Sequence, residues 1–166
     1  MNSRILLALT GTALTVIALT GCSTSATPAA STPAASESAT AAPAAPSDAA
    51  VATSTLGTVV VDGKGMTAYA FDEDVANSGK SACVAACAAI WPAITTTSAT
   101  PTVTGITGTV ATITGVNGGK QITINGMPIY TFSKDAAAGD VKGQGFKGVW
   151  HALTAAGVKV TAPAAG

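Results

Sequence analysis

Cys83 and Cys87, four residues apart, are the side chains of this chain with the widest choice of chemistry. Thiols form disulfides, bind soft metal ions or take part in thiol exchange. Once Cys22 is set aside as a candidate for lipidation, these two cysteines remain, and in an oxidising compartment an even number favours a disulfide; a redox-active bridge is the alternative. Cβ atoms four residues apart in a regular helix lie about 5–6 Å from each other, whereas a disulfide needs about 3.5–4.5 Å. A bridge therefore predicts a distorted turn at 84–86, or a helix that begins after Ser81.

The single histidine, His151, and the methionines Met66 and Met127 are the other candidate metal ligands. With a reduced cysteine they would suit Cu(I), because thioether and thiolate sulfurs are soft ligands. Methionines that follow Gly-rich turns are also typical of buried hairpin residues, and we favour that interpretation. A general base at His151 needs a nucleophile beside it, and no serine or cysteine motif surrounds it. We therefore expect no catalytic residue and no cofactor, with a redox or copper accessory protein as the alternative.

Two aspartates, Asp74 and Asp135, stand at matching places after two similar aromatic segments. An aspartate at such a place accepts backbone N–H groups in a turn or at the start of a helix. Asp72, Glu73 and Asp74 also form an acidic cluster that would suit a cation. The second copy has Ser133 and Lys134 at the matching positions and does not repeat the cluster. We favour turn capping and keep cation binding as the alternative.

The two methionines and the two matching aspartates lie in a pattern that is written twice, at residues 65–74 and 126–135. One tryptophan follows each copy, and the two tryptophans are 59 residues apart. In each copy the tyrosine and the phenylalanine are two apart, so both point to the same face of a strand. The simplest interpretation is one shared core, with an exposed aromatic platform for a sugar or peptide as the alternative. The recurring residues are Gly65, Met66, Tyr69, Phe71, Asp74 and Trp91 in the first copy, and Gly126, Met127, Tyr130, Phe132, Asp135 and Trp150 in the second.

Short β-branched runs around Gly-rich turns predict the elements that position these residues. Residues 59–61 and 66–71 flank Asp62-Gly63-Lys64-Gly65, and residues 121–124 and 127–132 flank Asn125-Gly126, one of the strongest hairpin signals. Ser81 is a candidate N-cap for a helix over 82–90, which ends before Pro92. We expect a mainly β domain with one short helix (a β-rich α+β fold) over residues 56–162. Its two pseudo-equivalent, hairpin-based repeats would span about 57–94 and 107–153.

The first 55 residues have a different composition. Residues 1–21 carry Arg4 and an apolar run that is short for a membrane span, as expected of a signal peptide. The run ends in Leu19-Thr20-Gly21-Cys22, which resembles a bacterial lipobox and predicts lipidation of Cys22 after cleavage. Residues 22–55 are rich in Ala, Pro, Ser and Thr and predict a disordered linker. The nearly neutral charge indicates no nucleic-acid partner.

The two motif copies, together with the lipobox, resemble a bacterial family of secreted-repeat lipoproteins that carry tandem Tyr-x-(Phe/Trp/Tyr)-x-x-Asp motifs. The resemblance covers about residues 57–160. The second copy lacks the cysteine pair and has His151 where the first has Pro92. The resemblance implies a protein held on the outer face of the cell membrane by its lipid, with no assigned activity. We predict a non-enzymatic binding or envelope-structural module whose protein or small-molecule ligand the sequence does not identify.

Overall fold

The structure is a computed structural model that describes residues 47–163. The predicted signal peptide, Cys22 and most of the predicted linker lie outside these residues. No helix within the described part is long and apolar enough to cross a membrane. The elements in chain order are β1 Ala49–Ser54, β2 Gly57–Asp62, β3 Tyr69–Phe71, α1 Ala86–Ile90, β4 Thr95–Thr96, β5 Val103–Thr104, β6 Val110–Thr114, β7 Lys120–Ile124, β8 Met127–Pro128, a 3₁₀ turn Phe146–Gly148 and β9 Trp150–Ala152.

The fold class is confirmed, since strands dominate and α1 is a single short helix. One sheet has the order β2-β1-β5, and a second has the order β4-β7-β6 with β8 paired to β7. The third consists of β3 and β9. In each half a hairpin precedes the motif strand, as the turn residues predict. Asn125 and Gly126 have φ values of 52° and 77°, the left-handed angles of a two-residue hairpin turn.

Strand β1 corrects the predicted linker boundary. β1 is antiparallel to β2 along its whole length, from Ala49 opposite Asp62 to Ser54 opposite Gly57. The linker prediction for residues 22–55 is therefore wrong for 49–55, and the folded domain begins before residue 56. The alanines of β1 have a low strand propensity, but strand formation depends strongly on the neighbouring strand. Here the valines of β2 provide that partner, and Ala49 is fully buried.

The predicted helix over 82–90 is also corrected, because α1 spans only Ala86–Ile90. A disulfide joins Cys83 to Cys87 across a Cα–Cα distance of 5.1 Å, and Ala85 between them has a φ of 50°. Residues before Ala86 therefore leave the helical path, as a bridge at this spacing predicts. Ser81 does not cap the helix. Its hydroxyl lies 2.7 Å from the Tyr130 hydroxyl instead.

The closing segment of each repeat, which contains Ala93 in the first and Ala152 in the second, pairs with the motif strand of the other repeat. In the first repeat, β3 pairs with β9 of the second, with Tyr69 opposite Ala152. The reverse contact places Tyr130 of the second repeat opposite Ala93 of the first. The strand before each motif makes the same exchange, because Val60 N–H donates to Leu153 O and Ile122 N–H donates to Ile94 O. Each repeat therefore completes the β-structure of the other.

The buried side chains form two clusters. The first contains every recurring Tyr, Phe and Trp, together with Val59, Val61, Cys83 and Ala152. The second is aliphatic and consists of Val60, Ala68, Ala70, Ile94, Ile122, Ile124, Ile129 and Leu153. Val59 and Val60 are consecutive and belong to different clusters, because neighbouring residues of a strand point to opposite faces. The domain thus has an aromatic core and an aliphatic core on the two faces of its strands.

Candidate functional site

The duplicated motif forms two crossed Tyr–Asp pairs. The Tyr69 hydroxyl of the first repeat donates to Asp135 Oδ2 of the second at 2.7 Å. The Tyr130 hydroxyl of the second repeat donates to Asp74 Oδ2 of the first at 2.8 Å. Both side chains of each pair are buried. The motif therefore joins the two repeats, because neither aspartate binds the tyrosine of its own copy.

The crossing follows from an approximate twofold axis between the two tyrosines. Tyr69 N–H donates to Tyr130 O at 2.8 Å, and Tyr130 N–H donates to Tyr69 O at 3.0 Å. The second carboxylate oxygen of each aspartate accepts a backbone N–H group, from Ala82 at 2.7 Å for Asp74 and from Lys142 at 3.0 Å for Asp135. Each aspartate thus caps a loop of its own repeat while it binds the opposite tyrosine.

Burial controls the protonation of these four groups. Burial raises the pKa of Asp74 and outweighs the hydrogen bonds from Ala82 N–H and Tyr130. Burial likewise raises the pKa of Asp135 against the hydrogen bonds of Tyr69 and Lys142 N–H. The pKa values of both tyrosines rise too, first through burial and then through the carboxylate that each one faces. The hydroxyls therefore stay protonated and act as hydrogen-bond donors.

The remaining motif residues form a column of four stacked rings across the axis. Trp91 and Trp150 are parallel within 2° with centroids 3.7 Å apart. Phe132 stacks on the outer face of Trp91 at 4.3 Å, and Phe71 stacks on Trp150 at the same distance. All four rings are at most 8 % exposed. The recurring aromatic residues therefore build the core, and the alternative of an exposed platform does not describe them.

The candidate ligands from the sequence do not converge on a metal site. His151 Nε2 lies 3.2 Å from Asp72 Oδ2, and its Nδ1 lies 3.3 Å from Val160 O. Lys159 donates to the other Asp72 oxygen at 2.8 Å. The pKa of Asp72 lies below its usual value. Partial burial alone would raise this pKa, but the hydrogen bond and the charge of Lys159 lower it by more, and His151 contributes in the same direction.

The two cysteine sulfurs that a copper site would need are also bonded. Cys83 and Cys87 are bonded to each other, so neither provides a thiolate. Within residues 47–163 there is no group of three or more His, Cys, Asp or Glu side chains arranged to hold a metal ion. The acidic cluster is likewise divided, because Asp72 faces Lys159 while Asp74 is buried against Tyr130.

A cavity of about 330 Å³ lies between the motif core and the β6–β7 loop. Its wall includes Trp91, Ala93, Tyr130 and Gln121, with Ser81 and the disulfide residue Cys83 at one side. The loop opposite contributes Gly115, Val116, Asn117 and Gly119. Apolar rings and a few polar groups that converge on one cavity are typical of a site for a small ligand or a side chain.

Among the described residues, Gln121 has a buried side-chain oxygen that the fold leaves without a hydrogen-bond partner. Its side chain is completely buried, and its Nε2 donates to Ile129 O at 3.2 Å. Its Oε1 is buried with no hydrogen-bond partner. A buried acceptor without a partner costs about 1–3 kcal/mol. Rotating the amide does not remove this cost, because Oε1 would then face the Ile129 carbonyl oxygen.

The first repeat shows that the fold does not need a polar residue here. Val59 faces Thr154 in a bridge, and Gln121 faces Thr95 in the corresponding pair. Val59 is therefore the counterpart of Gln121, and it packs in the aromatic core. Gln121 is not among the residues predicted from the sequence, because its alternation with isoleucines suggests a solvent-facing residue. A comparison of the two repeats, position by position, would have identified it.

The comparisons with known proteins agree with the duplicated architecture. A family described as "Secreted repeat of unknown function" (Lipoprotein_15) matches the chain at residues 50–95 and 111–154. Together the two matches cover more than half of the 166 residues. The resemblance to secreted repeats is thereby confirmed, and the first match begins within β1. We found no significant match among curated proteins or among solved structures.

Proposed function

The chain belongs to this family of secreted repeats, which makes it an extracytoplasmic protein, and we propose that it is a lipid-anchored, non-enzymatic binding module. Its ligand site is the cavity beside Gln121. The observation that carries the proposal is that Gln121, whose buried Oε1 has no hydrogen-bond partner, lines this cavity. A ligand with a hydrogen-bond donor would satisfy that atom, and the free energy of the unmade bond would then contribute to affinity.

The anchor is argued from the sequence Leu19-Thr20-Gly21-Cys22. Several acyl chains at one cysteine give a stable attachment, since a single chain holds only marginally. Growth of the host with radioactive palmitate tests this step. Full-length protein made in a host that processes lipoproteins is expected to incorporate the label, and the Cys22→Ala variant is not, because the thiol that is acylated is gone. Ser23→Ala is the matched control and should behave as the wild type. A Cys22→Ala variant that still incorporates the label would refute the anchor.

Binding fits the cavity better than catalysis does. The groups around it are aromatic rings, an amide and the Ser81–Tyr130 hydroxyl pair, and burial keeps the Tyr130 hydroxyl protonated. The imidazole of His151 contacts Asp72 and Val160. These groups hold a ligand by shape and hydrogen bonds. If no ligand with a hydrogen-bond donor binds in the cavity, the alternative is an envelope-structural role without a ligand.

The chain offers an internal control for a binding experiment, because Gln121 and Gln144 are its only glutamines. Gln144 accepts Ala152 N–H and donates to Val160 O and Ala162 O, so both ends of its amide are occupied. We would label the glutamine side chains of the full-length Cys22→Ala protein with ¹⁵N and titrate N-methylacetamide, which has one amide donor. The Gln121 amide signals should shift while those of Gln144 stay in place. Equal shifts at both glutamines, or none at Gln121, would refute the proposed site.

A further inference from the structure

The wall of the cavity includes an open strand edge at Ala93. Ala93 faces Tyr130 in an antiparallel bridge, but the hydrogen bonds on either side come from Pro92 O and Ile94 N–H. In this geometry the N–H and C=O groups of Ala93 point to the opposite edge. Within residues 47–163 neither group has a hydrogen-bond partner. Strand β4, which continues this segment, is the terminal strand of its sheet.

The corresponding edge in the other repeat is occupied. Ala152 is the counterpart of Ala93, since it faces Tyr69 as Ala93 faces Tyr130. Its N–H donates to Gln144 Oε1, and its C=O accepts Val160 N–H, both at 2.8 Å. The occupant is the extended segment that contains Val158 and Val160, and the Val160 side chain packs against the aromatic core. The molecule therefore shows what fills this kind of edge.

Two cavities flank the open edge, and both are bordered by Pro92, Ala93 and Thr95. One is the Gln121 cavity of about 330 Å³, and the other, of about 390 Å³, also borders Asp62 and Thr131. Side chains of an added strand alternate between the two faces with a period of two residues. Space on both faces of an unpaired edge is what an added strand requires, since main-chain bonds give affinity and side-chain pockets give specificity.

We propose that the Ala93 edge binds an extended peptide by β-strand addition, in the way that the segment around Val160 occupies the edge at Ala152. The proposal rests on the proposed function and names its ligand class. The main chain of the peptide donates to Ala93 O and accepts from Ala93 N–H. One side chain enters the Gln121 cavity at the place that Val160 takes in the other repeat.

The residue that enters the cavity carries a hydrogen-bond donor. In the occupied repeat, Val160 packs against the apolar cluster that contains Val59. In the open repeat Gln121 stands in place of Val59, lines the cavity and has a buried oxygen without a hydrogen-bond partner. A threonine has the shape of valine and adds a hydroxyl donor. The site therefore selects threonine, serine or an amide side chain over valine at this position of the peptide.

Two hexapeptides test the proposal. The first has the sequence of residues 157–162, Gly-Val-Lys-Val-Thr-Ala, and the second has threonine in place of its second valine. Both are titrated by NMR into the full-length Cys22→Ala protein. The threonine peptide should shift the amide signals of Ala93 and Thr95 and bind at least about fivefold more tightly than the valine peptide, the factor expected when a buried acceptor gains its partner. Gln121→Val should reverse this preference.

A matched pair of variants checks the place of binding. Ala88 borders the Gln121 cavity, whereas its exposed neighbour Ala89 does not. Ala88→Leu should weaken peptide binding while Ala89→Leu leaves it unchanged, with thermal unfolding of each variant as the check of folding. The imidazole signals of His151, which contacts Val160 in the occupied repeat, should stay in place. Shifts at His151 instead of Ala93 would mean that the peptide displaces the chain's own segment, and this would overturn the proposal.

The outcomes separate the two proposals. If N-methylacetamide shifts the Gln121 amide but neither peptide shifts Ala93, strand addition is wrong and the binding cavity stands. If neither probe has an effect, the proposed function fails as well. If both peptides bind wild type and Gln121→Val with equal affinities, the edge binds peptides but Gln121 does not select the side chain, and that part of the inference is overturned.

Discussion

Replacing Gln121 by an apolar residue should stabilise the protein. The unpartnered Oε1 costs about 1–3 kcal/mol, whereas the lost Nε2–Ile129 hydrogen bond is worth about 0.5–1.5 kcal/mol. Ile129 O keeps a second donor, Ile94 N–H at 3.1 Å, so the substitution leaves no unsatisfied acceptor behind. Valine at the counterpart position shows that the fold accepts a β-branched residue there. We expect Gln121→Val to raise the free energy of unfolding by about 1 kcal/mol.

Equilibrium urea unfolding at pH 7 with the disulfide intact measures this change. Gln121→Met, which keeps the side-chain volume, separates the loss of the amide from the loss of packing. Gln144→Val is the matched control and should destabilise the protein, since it removes partners of Ala152 N–H and Val160 O. If both Gln121 variants lose more than about 1 kcal/mol, the amide is satisfied in solution, and the reasoning from its unpartnered oxygen is refuted.

Two further predictions concern the aspartates and the disulfide. Because the folded pKa values of Asp74 and Asp135 are raised, their contribution to stability is fully present below the unfolded pKa of about 3.9 and is lost as the pH rises through the folded pKa values. Urea unfolding between pH 3 and 7 should show this fall, which Asp135→Asn should reduce; an unchanged profile in the variant would contradict it. Reducing the Cys83–Cys87 bridge should cost less than the roughly 3 kcal/mol of a fifteen-residue loop, because the loop is much shorter. Thermal unfolding with and without reductant measures this, and complete unfolding on reduction would contradict it.

The hairpins and the duplicated core could be predicted because their signals are local. Asn125-Gly126 favours the left-handed angles of a tight turn, and the Tyr-x-Phe spacing places both rings on one face. The break in the helix before Ala86 could also be predicted, because a disulfide between cysteines four residues apart does not fit a regular helix. In each case the residues concerned are close together in the chain.

The crossed pairing could not be predicted from the sequence. An offset of 61 residues shows that Tyr69 and Tyr130 are equivalent, but it does not say which aspartate each one meets. The answer depends on the exchange of closing segments, which is a tertiary feature. Strand β1 was missed for a related reason, because its alanine-rich sequence has a weak strand signal and is stabilised as a strand by pairing with β2. Gln121 was missed because the face of β7 that its alternation assigns to solvent is buried, as is the face of β2 from which its counterpart Val59 packs in the aromatic core.

The most direct test of the interlocked architecture is a pair of double-mutant cycles on the free energy of unfolding. One cycle combines Tyr69→Phe with Asp135→Ala, the residues that bond across the repeats. The other combines Tyr69→Phe with Asp74→Ala, the aspartate of the same motif copy. We predict a coupling of about 1.5–3 kcal/mol in the first cycle, as for a hydrogen bond to a charged group, and less than about 0.5 kcal/mol in the second. A larger coupling with Asp74 than with Asp135 would contradict the crossed pairing.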